Sequence, residues 1–178
     1  MASYTLKQMF VDLLREAMSS ERLFLDHFPS LLISGGHQHL REALDLHIQE
    51  TKEHVKRLQQ IAVLLQVSLE GGQGAAMQGL LQEAKSLVGK ATSPAVRDAC
   101  LIITVQKIEH YEMAVYGSAY SLASSLAEGM EEEETNFERI AEWLEEILEE
   151  ECMIDERLTE IAEGGFMSPG LNEEAQKE

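Results

Sequence analysis

The sequence has few residues of the kinds that disulfide-rich, loop-rich or membrane-spanning proteins need. Its two cysteines, Cys100 and Cys152, lack the CxxC or histidine spacing of a zinc site. We interpret them as two reduced thiols rather than a disulfide, which fits a cytoplasmic protein. Three prolines are too few for a loop-rich fold. We find neither an apolar run long enough to span a bilayer nor a basic-then-apolar secretory signal, so no membrane association is expected.

Positive charge is also scarce. Lysine and arginine total 14 against 32 acidic residues, which gives a net charge of −18 and a pI near 4.6. Phosphate backbones and anionic lipids would repel such a chain, so we exclude nucleic acid and membrane surfaces as partners. Half of the acidic residues fall between Glu128 and Glu163. Within that segment, the run from Glu131 to Glu134 favours a helix N-terminus, where carboxylates meet the positive end of the helix dipole.

The hydrophobic pattern predicts an all-α protein. Hydrophobic residues make up 44% of 178, enough for one domain with a real core, and no segment alternates with the period of a strand. Helical spacing predicts four long helices and a shorter one in the crossover. The long ones cover about 4–34 (with a kink or early end at Pro29 and a stop at Gly35-Gly36), 37–69, 93–127 and 131–162, the last two separated by Gly129; the shorter one covers 75–88.

This pattern is typical of a four-helix bundle over residues 1–163, with a crossover connection that carries a short extra helix. A helical repeat array is the rival all-α architecture, and the long unbroken helices argue against it. After Gly164-Gly165, residues 164–178 are predicted to be a polar, flexible tail with frayed structure.

Every long helix places at least one acidic residue in or beside its apolar stripe. The candidates are Glu21 in the first helix, Glu50 with His54 in the second, Glu109 and Glu112 in the third, and Glu151 and Asp155 in the fourth. Any one of them could be an edge residue, but the coincidence across four helices is harder to dismiss. Buried carboxylates are expensive, and no core lysine or arginine is available to neutralise them. The remaining ways to make such a cluster tolerable are protonation of the acids or a bound cation.

A cation also accounts for the residue types. A dinuclear Fe or Mn site in a helical bundle uses bridging carboxylates with histidines at its ends, whereas structural zinc prefers thiolate and imidazole. His54 would then be a ligand and Glu50 a bridge. His47, seven residues earlier on the same stripe, is open to three interpretations: a ligand, a partner of a ligand, or a plain core histidine.

Two further residues border these candidates on the third helix. His110 points well away from Glu109 and Glu112 on the helical wheel, so we expect a core or interface histidine rather than a ligand. Tyr116 follows Glu109 by two turns and could hydrogen-bond to it.

At these residues the sequence resembles the YciF/YciE type of ferritin-like stress proteins, over roughly residues 6–162. The matching motifs are "SSERLFL", "HIQETKEHVKRL", "AVRDACLIITVQKIEHYEMAVYGSA" and "LEEECMIDERLTEIAE". The resemblance implies a cytosolic antiparallel bundle, a homodimer, a link to stress responses and a dimetal centre. It implies no particular substrate.

The chain departs from the usual ferritin-like motif at two points. The carboxylate and histidine of the second helix, Glu50 and His54, are four residues apart instead of three, which still places them on one face. In the fourth helix, Asp155 stands where a second histidine is expected, so a weakly held or mononuclear ion is an alternative to a full dimetal site.

Three functions remain at this stage. The first is a dimetal protein that handles oxygen, peroxide or iron during stress. The second is a non-catalytic homodimeric bundle that serves as a partner-binding or structural protein. The third is an iron store, which would require a cage of many subunits.

Overall fold

The computed structural model describes residues 4–32, 36–128, 135–165 and 168–177. Its elements, in chain order, are α1 (Leu6–His27), α2 (Pro29–Leu32), α3 (Gln38–Leu65), α4 (Ala75–Val88), α5 (Pro94–Ala127), α6 (Thr135–Glu163), β1 (Gly164–Gly165), β2 (Ser168–Pro169) and α7 (Leu171–Ala175). The four long helices α1, α3, α5 and α6 confirm the predicted bundle.

The helix starts follow from local sequence. Thr5 caps α1, since its hydroxyl accepts the Gln8 backbone N–H while the Gln8 side chain accepts the Thr5 backbone N–H. Ser93 caps α5 by a single bond, in which its hydroxyl accepts the Val96 backbone N–H, and is followed by proline, as predicted. The start of α3 has a distant cap, because the Asp98 carboxylate accepts the His37 backbone N–H at 2.6 Å.

The helix ends agree in part with the prediction. Helix α1 ends at His27 and a short turn of helix begins at Pro29, which is the predicted early end. Helix α3 ends four residues earlier than expected, where Gln66 adopts a left-handed conformation. The predicted stop at Gly35, the break at Gly129 and the acidic helix start at 131–134 lie outside the described residues.

Two apolar clusters fill the bundle, and each long helix contributes to both. The Phe24 cluster includes Phe24, Leu44, Ile102 and Leu158, and the Phe10 cluster includes Phe10, Leu58, Tyr116 and Leu144. In α1 and α6 the N-terminal half contributes to the Phe10 cluster and the C-terminal half to the Phe24 cluster. In α3 and α5 the order is reversed. Helix α1 therefore runs parallel to α6 and antiparallel to its neighbours α3 and α5.

This arrangement requires the predicted crossover. Helix α3 ends beside the Phe10 cluster and α5 begins beside the Phe24 cluster, so the connection must travel back along the bundle. Helix α4 makes this return over α1 and α5, and it buries Met77, Leu81 and Ala84 in the Phe24 cluster. None of the described helices has the combination of length and apolar content that a bilayer-spanning segment requires.

The prediction of a frayed polar tail is wrong for the segment after β2. Strands β1 and β2 pair as a small antiparallel hairpin, which was not predicted, and α7 then packs against α5 and α6. Leu171 is buried in the Phe24 cluster. Gly170 permits this approach, since a Cβ at that position would lie 2.2 Å from the carbonyl carbon of Glu163. One apolar anchor and one close backbone contact hold the tail.

Candidate metal centre

A layer of polar side chains lies between the two apolar clusters. On every long helix, the residues between its two stretches of apolar core include a buried acid or histidine. These residues are Glu21 on α1, His47 and His54 on α3, Glu109 and Glu112 on α5, and Glu151 on α6, each at most 2% exposed. The 3.6-residue period of the helices aims them into the same seam as the apolar residues on either side.

Three of these side chains form a first trio. The Nδ1 atom of His54 lies 3.3 Å from Glu21 Oε1 and 3.1 Å from Glu151 Oε1. One ligand atom from each residue falls within 4.8 Å of the other two. The trio joins α1, α3 and α6, so it depends on the bundle and cannot form in any single helix.

A second trio shares Glu151 with the first. It consists of His47, Glu109 and Glu151, again with one atom of each within 4.8 Å of the others. His47 Nε2 lies 3.1 Å from Glu109 Oε1, and His47 Nδ1 lies 4.0 Å from Glu151 Oε2. Because Glu151 belongs to both trios, its two oxygens can serve two neighbouring positions, as a bridging carboxylate does.

Apart from Glu21 Oε1, which accepts the Tyr116 hydroxyl, the atoms that face the centres of the trios lack hydrogen-bond partners among the described residues. They are both nitrogens of His47, Nδ1 of His54 and both carboxylate oxygens of Glu109 and of Glu151. The nitrogen and oxygen atoms are close, but their directions are not those of hydrogen bonds. Buried groups of this kind are costly unless another partner satisfies them. Lone pairs that converge on a shared point fit a cation.

Burial and mutual repulsion disfavour the ionised carboxylates. Burial raises the pKa of Glu109 to about 8, and burial together with the Glu109 charge raises the pKa of Glu151 to about 7. Burial and the charges of Glu21 and Glu151 raise the pKa of Glu112 well above its ordinary value. Burial disfavours the His54 cation as well, but the surrounding carboxylates outweigh it and raise the pKa of His54. Even with His54 protonated, the layer holds more carboxylates than cationic groups.

The donor set fits Fe or Mn. Each trio offers two carboxylates and one imidazole, a hard and oxygen-rich set that suits these metals better than structural zinc. Among the described residues neither cysteine belongs to a trio, and both cysteines are free thiols.

The structure brings four of the seven predicted ligands into the trios, namely Glu21, His54, Glu109 and Glu151. A fifth, Glu112, is buried in the same layer but belongs to neither trio. Metal binding by any of them stays a prediction.

The remaining two predicted ligands lie at the edge of the layer. The side chain of Glu50 is 31% exposed, and its Oε2 lies 4.0 Å from His47 Nδ1. The side chain of Asp155 is 18% exposed, and its buried Oδ1 lies 3.3 Å from Nδ1 of the exposed His110. Each is four residues from a buried ligand candidate on its own helix, so each is rotated by about 40° from the inward direction. That rotation moves both out of the trios.

For three side chains near the layer, the structure either changes the predicted role or decides between roles that the sequence left open. His47, which the sequence left open, joins the second trio. His110 is 66% exposed, so of the two expected roles, core or interface, the core role is wrong and the interface role stays a prediction. The Tyr116 hydroxyl donates to Glu21 rather than to Glu109, because it points across to α1 instead of back along its own helix.

Sequence analysis missed Glu150 and Arg57. Glu150 Oε2 lies 2.8 Å from His54 Nε2, and the Arg57 guanidinium donates to both oxygens of Glu150 at 2.7 and 3.1 Å. Burial would raise the pKa of Glu150, but the hydrogen bonds from His54 and Arg57 outweigh it and lower this pKa to about 2. The spacing of His54 and Arg57, one helical turn apart, was the signal that one carboxylate could reach both.

Comparison with known proteins identifies relatives over most of the chain. The family model described as "Domain of unknown function (DUF892)" matches residues 5–170. Protein YciF of Escherichia coli strain K12 is 31% identical over 159 residues, which are 89% of this chain and 90% of that protein.

Solved structures are also similar to this one. The crystal structure of the E. coli stress protein YciF superimposes with a TM-score of 0.78 and covers 89% of this chain and 94% of its own. A Rhodopseudomonas palustris protein called YcfI, described only as a candidate structural protein, is 26% identical. It gives a TM-score of 0.80 and covers 89% of this chain and 95% of its own.

Proposed function

Since this chain belongs to the DUF892 family and has the E. coli stress protein YciF as a relative, we propose that it is a ferritin-like stress protein. We propose further that its buried polar layer holds a dinuclear Fe or Mn centre. One observation carries the proposal. Two buried trios share Glu151, and the facing atoms of His47, His54, Glu109 and Glu151 have no hydrogen-bond partners among the described residues. Protonation of the acids or of His54 could reduce the repulsion, but it would leave both nitrogens of His47 without a hydrogen-bond partner among the described residues.

The two ions would occupy the two trios. Glu21 and His54 would hold one ion, His47 and Glu109 the other, and Glu151 would bridge them. Bound Fe or Mn would supply redox and Lewis-acid chemistry toward oxygen or peroxide, or would itself be the iron that is handled. The protein's own contribution is orientation and exclusion of water, since an apolar cluster closes the layer on each side. Glu50 lies half-buried beside His47, and it is the most exposed of the predicted carboxylate ligands.

Elemental analysis tests the proposal. Protein produced in cells supplied with iron or manganese, and purified without chelator, should carry one to two ions per chain. Glu151→Ala removes the shared carboxylate and should abolish most of that content. Glu145→Ala, an exposed position on the same helix, is the control and should change nothing. Full metal content in Glu151→Ala would refute the site.

A non-catalytic structural role is the second candidate, and the description of the R. palustris relative favours it. In that case metal-free protein would keep its assembly and its partners. We further propose a cytoplasmic homodimer, which light scattering would test. A cage of a dozen or more subunits would favour iron storage instead, and a strict monomer at micromolar concentration would contradict the proposed dimer.

A further inference from the structure

We infer that Glu150, held by Arg57, is a positioning residue that presents Nδ1 of His54 to the cation and makes the trio of Glu21, His54 and Glu151 the tighter of two unequal subsites. The inference rests on the proposed metal centre and adds which of its two subsites binds an ion first. Glu150 itself touches neither trio's centre, because its contacts are with the far side of the His54 ring and with Arg57.

The contact with Glu150 fixes the protonation of the His54 ring. An ionised carboxylate only accepts hydrogen bonds, so the His54 nitrogen that lies 2.8 Å from Glu150 must carry a proton. That nitrogen is Nε2. The other nitrogen, Nδ1, is the one directed at Glu21 and Glu151, at 3.3 and 3.1 Å. With the Nε2 proton held by Glu150, Nδ1 is the nitrogen that gives up its proton and binds a cation.

Arg57 fixes the carboxylate in turn. Its Nη1 and Nη2 donate to Oε2 and Oε1 of Glu150 at 2.7 and 3.1 Å, a two-bond fork that sets both position and plane. His54 and Arg57 lie one turn apart on α3, whereas Glu150 comes from α6. The three residues therefore join the two helices along their shared seam, next to the trio that they support.

The second subsite has no comparable support among the described residues. Both nitrogens of His47 lack a hydrogen-bond partner, and the carboxylates nearest to its Nδ1, from Glu50 and Glu151, are 4.0 Å away. Its ring packs edge-to-face with that of Phe24, with the ring centroids 5.1 Å apart, and this contact does not determine which nitrogen of His47 carries the proton. In the first trio, by contrast, Tyr116 also donates to Glu21. A site whose ligands are already oriented binds more tightly, because less freedom is lost on binding.

Calorimetric titration of metal-free protein with Mn²⁺ tests the inference. Wild-type protein should bind in two unequal steps. Glu150→Ala should weaken the tighter step by about 10–100-fold, the usual effect of removing a carboxylate behind a metal-bound histidine, and leave the weaker step unchanged. Glu150→Gln keeps an oxygen that accepts from Nε2 and should recover most of the affinity. Glu149→Ala, an exposed neighbour, is the matched control.

A spectroscopic measurement needs no variant that risks misfolding. In wild-type protein loaded with Zn²⁺ as a diamagnetic probe, long-range ¹H–¹⁵N spectra should show His54 protonated at Nε2 and ligated through Nδ1. Ligation through Nε2, or equal Mn²⁺ affinity in wild-type protein and Glu150→Ala, would overturn the inference and leave the metal centre standing. Absence of any Mn²⁺ binding by wild-type protein would overturn the metal centre, and the inference with it.

Discussion

Replacing Glu109 by glutamine should have opposite effects on the metal-free and the metal-loaded protein. Glu109 is fully buried, and both its oxygens lack hydrogen-bond partners among the described residues. Burial raises its pKa from 4.5 to about 8 in the folded protein. Glutamine has nearly the same shape but cannot ionise. The substitution therefore removes the charge penalty while it keeps the volume of the side chain.

The sign and size of the effect on unfolding free energy follow from the linkage between proton binding and folding. A carboxyl group whose pKa is raised on folding costs nothing below about pH 4.5, and folding free energy is lost as the pH rises toward about 8. Each pH unit in this range costs about 1.4 kcal/mol. Between pH 5 and 7 the metal-free wild type should therefore lose about 2–3 kcal/mol through Glu109, a loss that Glu109→Gln avoids.

With metal bound, the dependence on pH reverses. The cation holds the carboxylate ionised, so the stabilisation is present at neutral pH and is lost on acidification as protons displace the ion. At a free ion concentration 100-fold above the dissociation constant, binding stabilises the fold by about 2.7 kcal/mol. Glu109→Gln should lose much of this, because a neutral amide is a weaker ligand for a hard cation.

Urea unfolding followed by circular dichroism would measure both effects, at pH 5 and 7, with EDTA or with excess Mn²⁺, at matched ionic strength. The net charge of −18 favours lower pH in every sample. The informative quantity is thus the difference between curves, with exposed Glu145→Gln as control. If the metal-loaded and metal-free curves stay parallel between pH 5 and 7, the acids do not meet around an ion. Equal pH slopes for wild type and variant in EDTA would refute the burial argument.

Three further substitutions test separate parts of the structure. Tyr116→Phe removes the hydroxyl that donates to buried Glu21 and should cost about 1–3 kcal/mol of unfolding free energy in EDTA, and an unchanged urea midpoint would contradict that bond. Leu171→Ala should cost about 2 kcal/mol or more because the tail is anchored in the core, whereas an effect within about 0.5 kcal/mol is what a surface position would give. Asp155→Ala should leave the metal content unchanged because Asp155 faces His110, and the loss of one ion per chain would reinstate it as a ligand.

The helical period explains what could be predicted from sequence. Glu21, His54, Glu109 and Glu151 stand in the middle of long apolar stripes, and the inward direction there is insensitive to small errors in helix rotation. Glu50 and Asp155 stand at the borders of their stripes. A rotation of about 40° decides whether such a side chain faces the core or the seam between helices, and the sequence does not specify that rotation.

Contacts between helices explain what could not be predicted. The role of Glu150 depends on how far α6 is displaced along α3, since only that displacement brings it to both His54 and Arg57. A solvated acidic face was the natural interpretation of this part of α6. The tail posed a similar problem, because one leucine in a polar segment has no periodicity. Its burial depends on the close backbone contact at Gly170.

The order of layers along the bundle explains how the fold tolerates so many buried acids. If the acids were scattered, each would interrupt a different part of the core. Here the buried acids among the described residues, apart from Asp98 at the start of α3, occupy one level, with the Phe24 cluster on one side and the Phe10 cluster on the other. All four long helices pack into each cluster, so the helices stay aligned even when the carboxylates of the polar layer repel one another. The repulsion is then confined to the level at which a cation can relieve it. Because Glu151 belongs to both trios, an ion in one subsite also reduces the charge that the other subsite must satisfy.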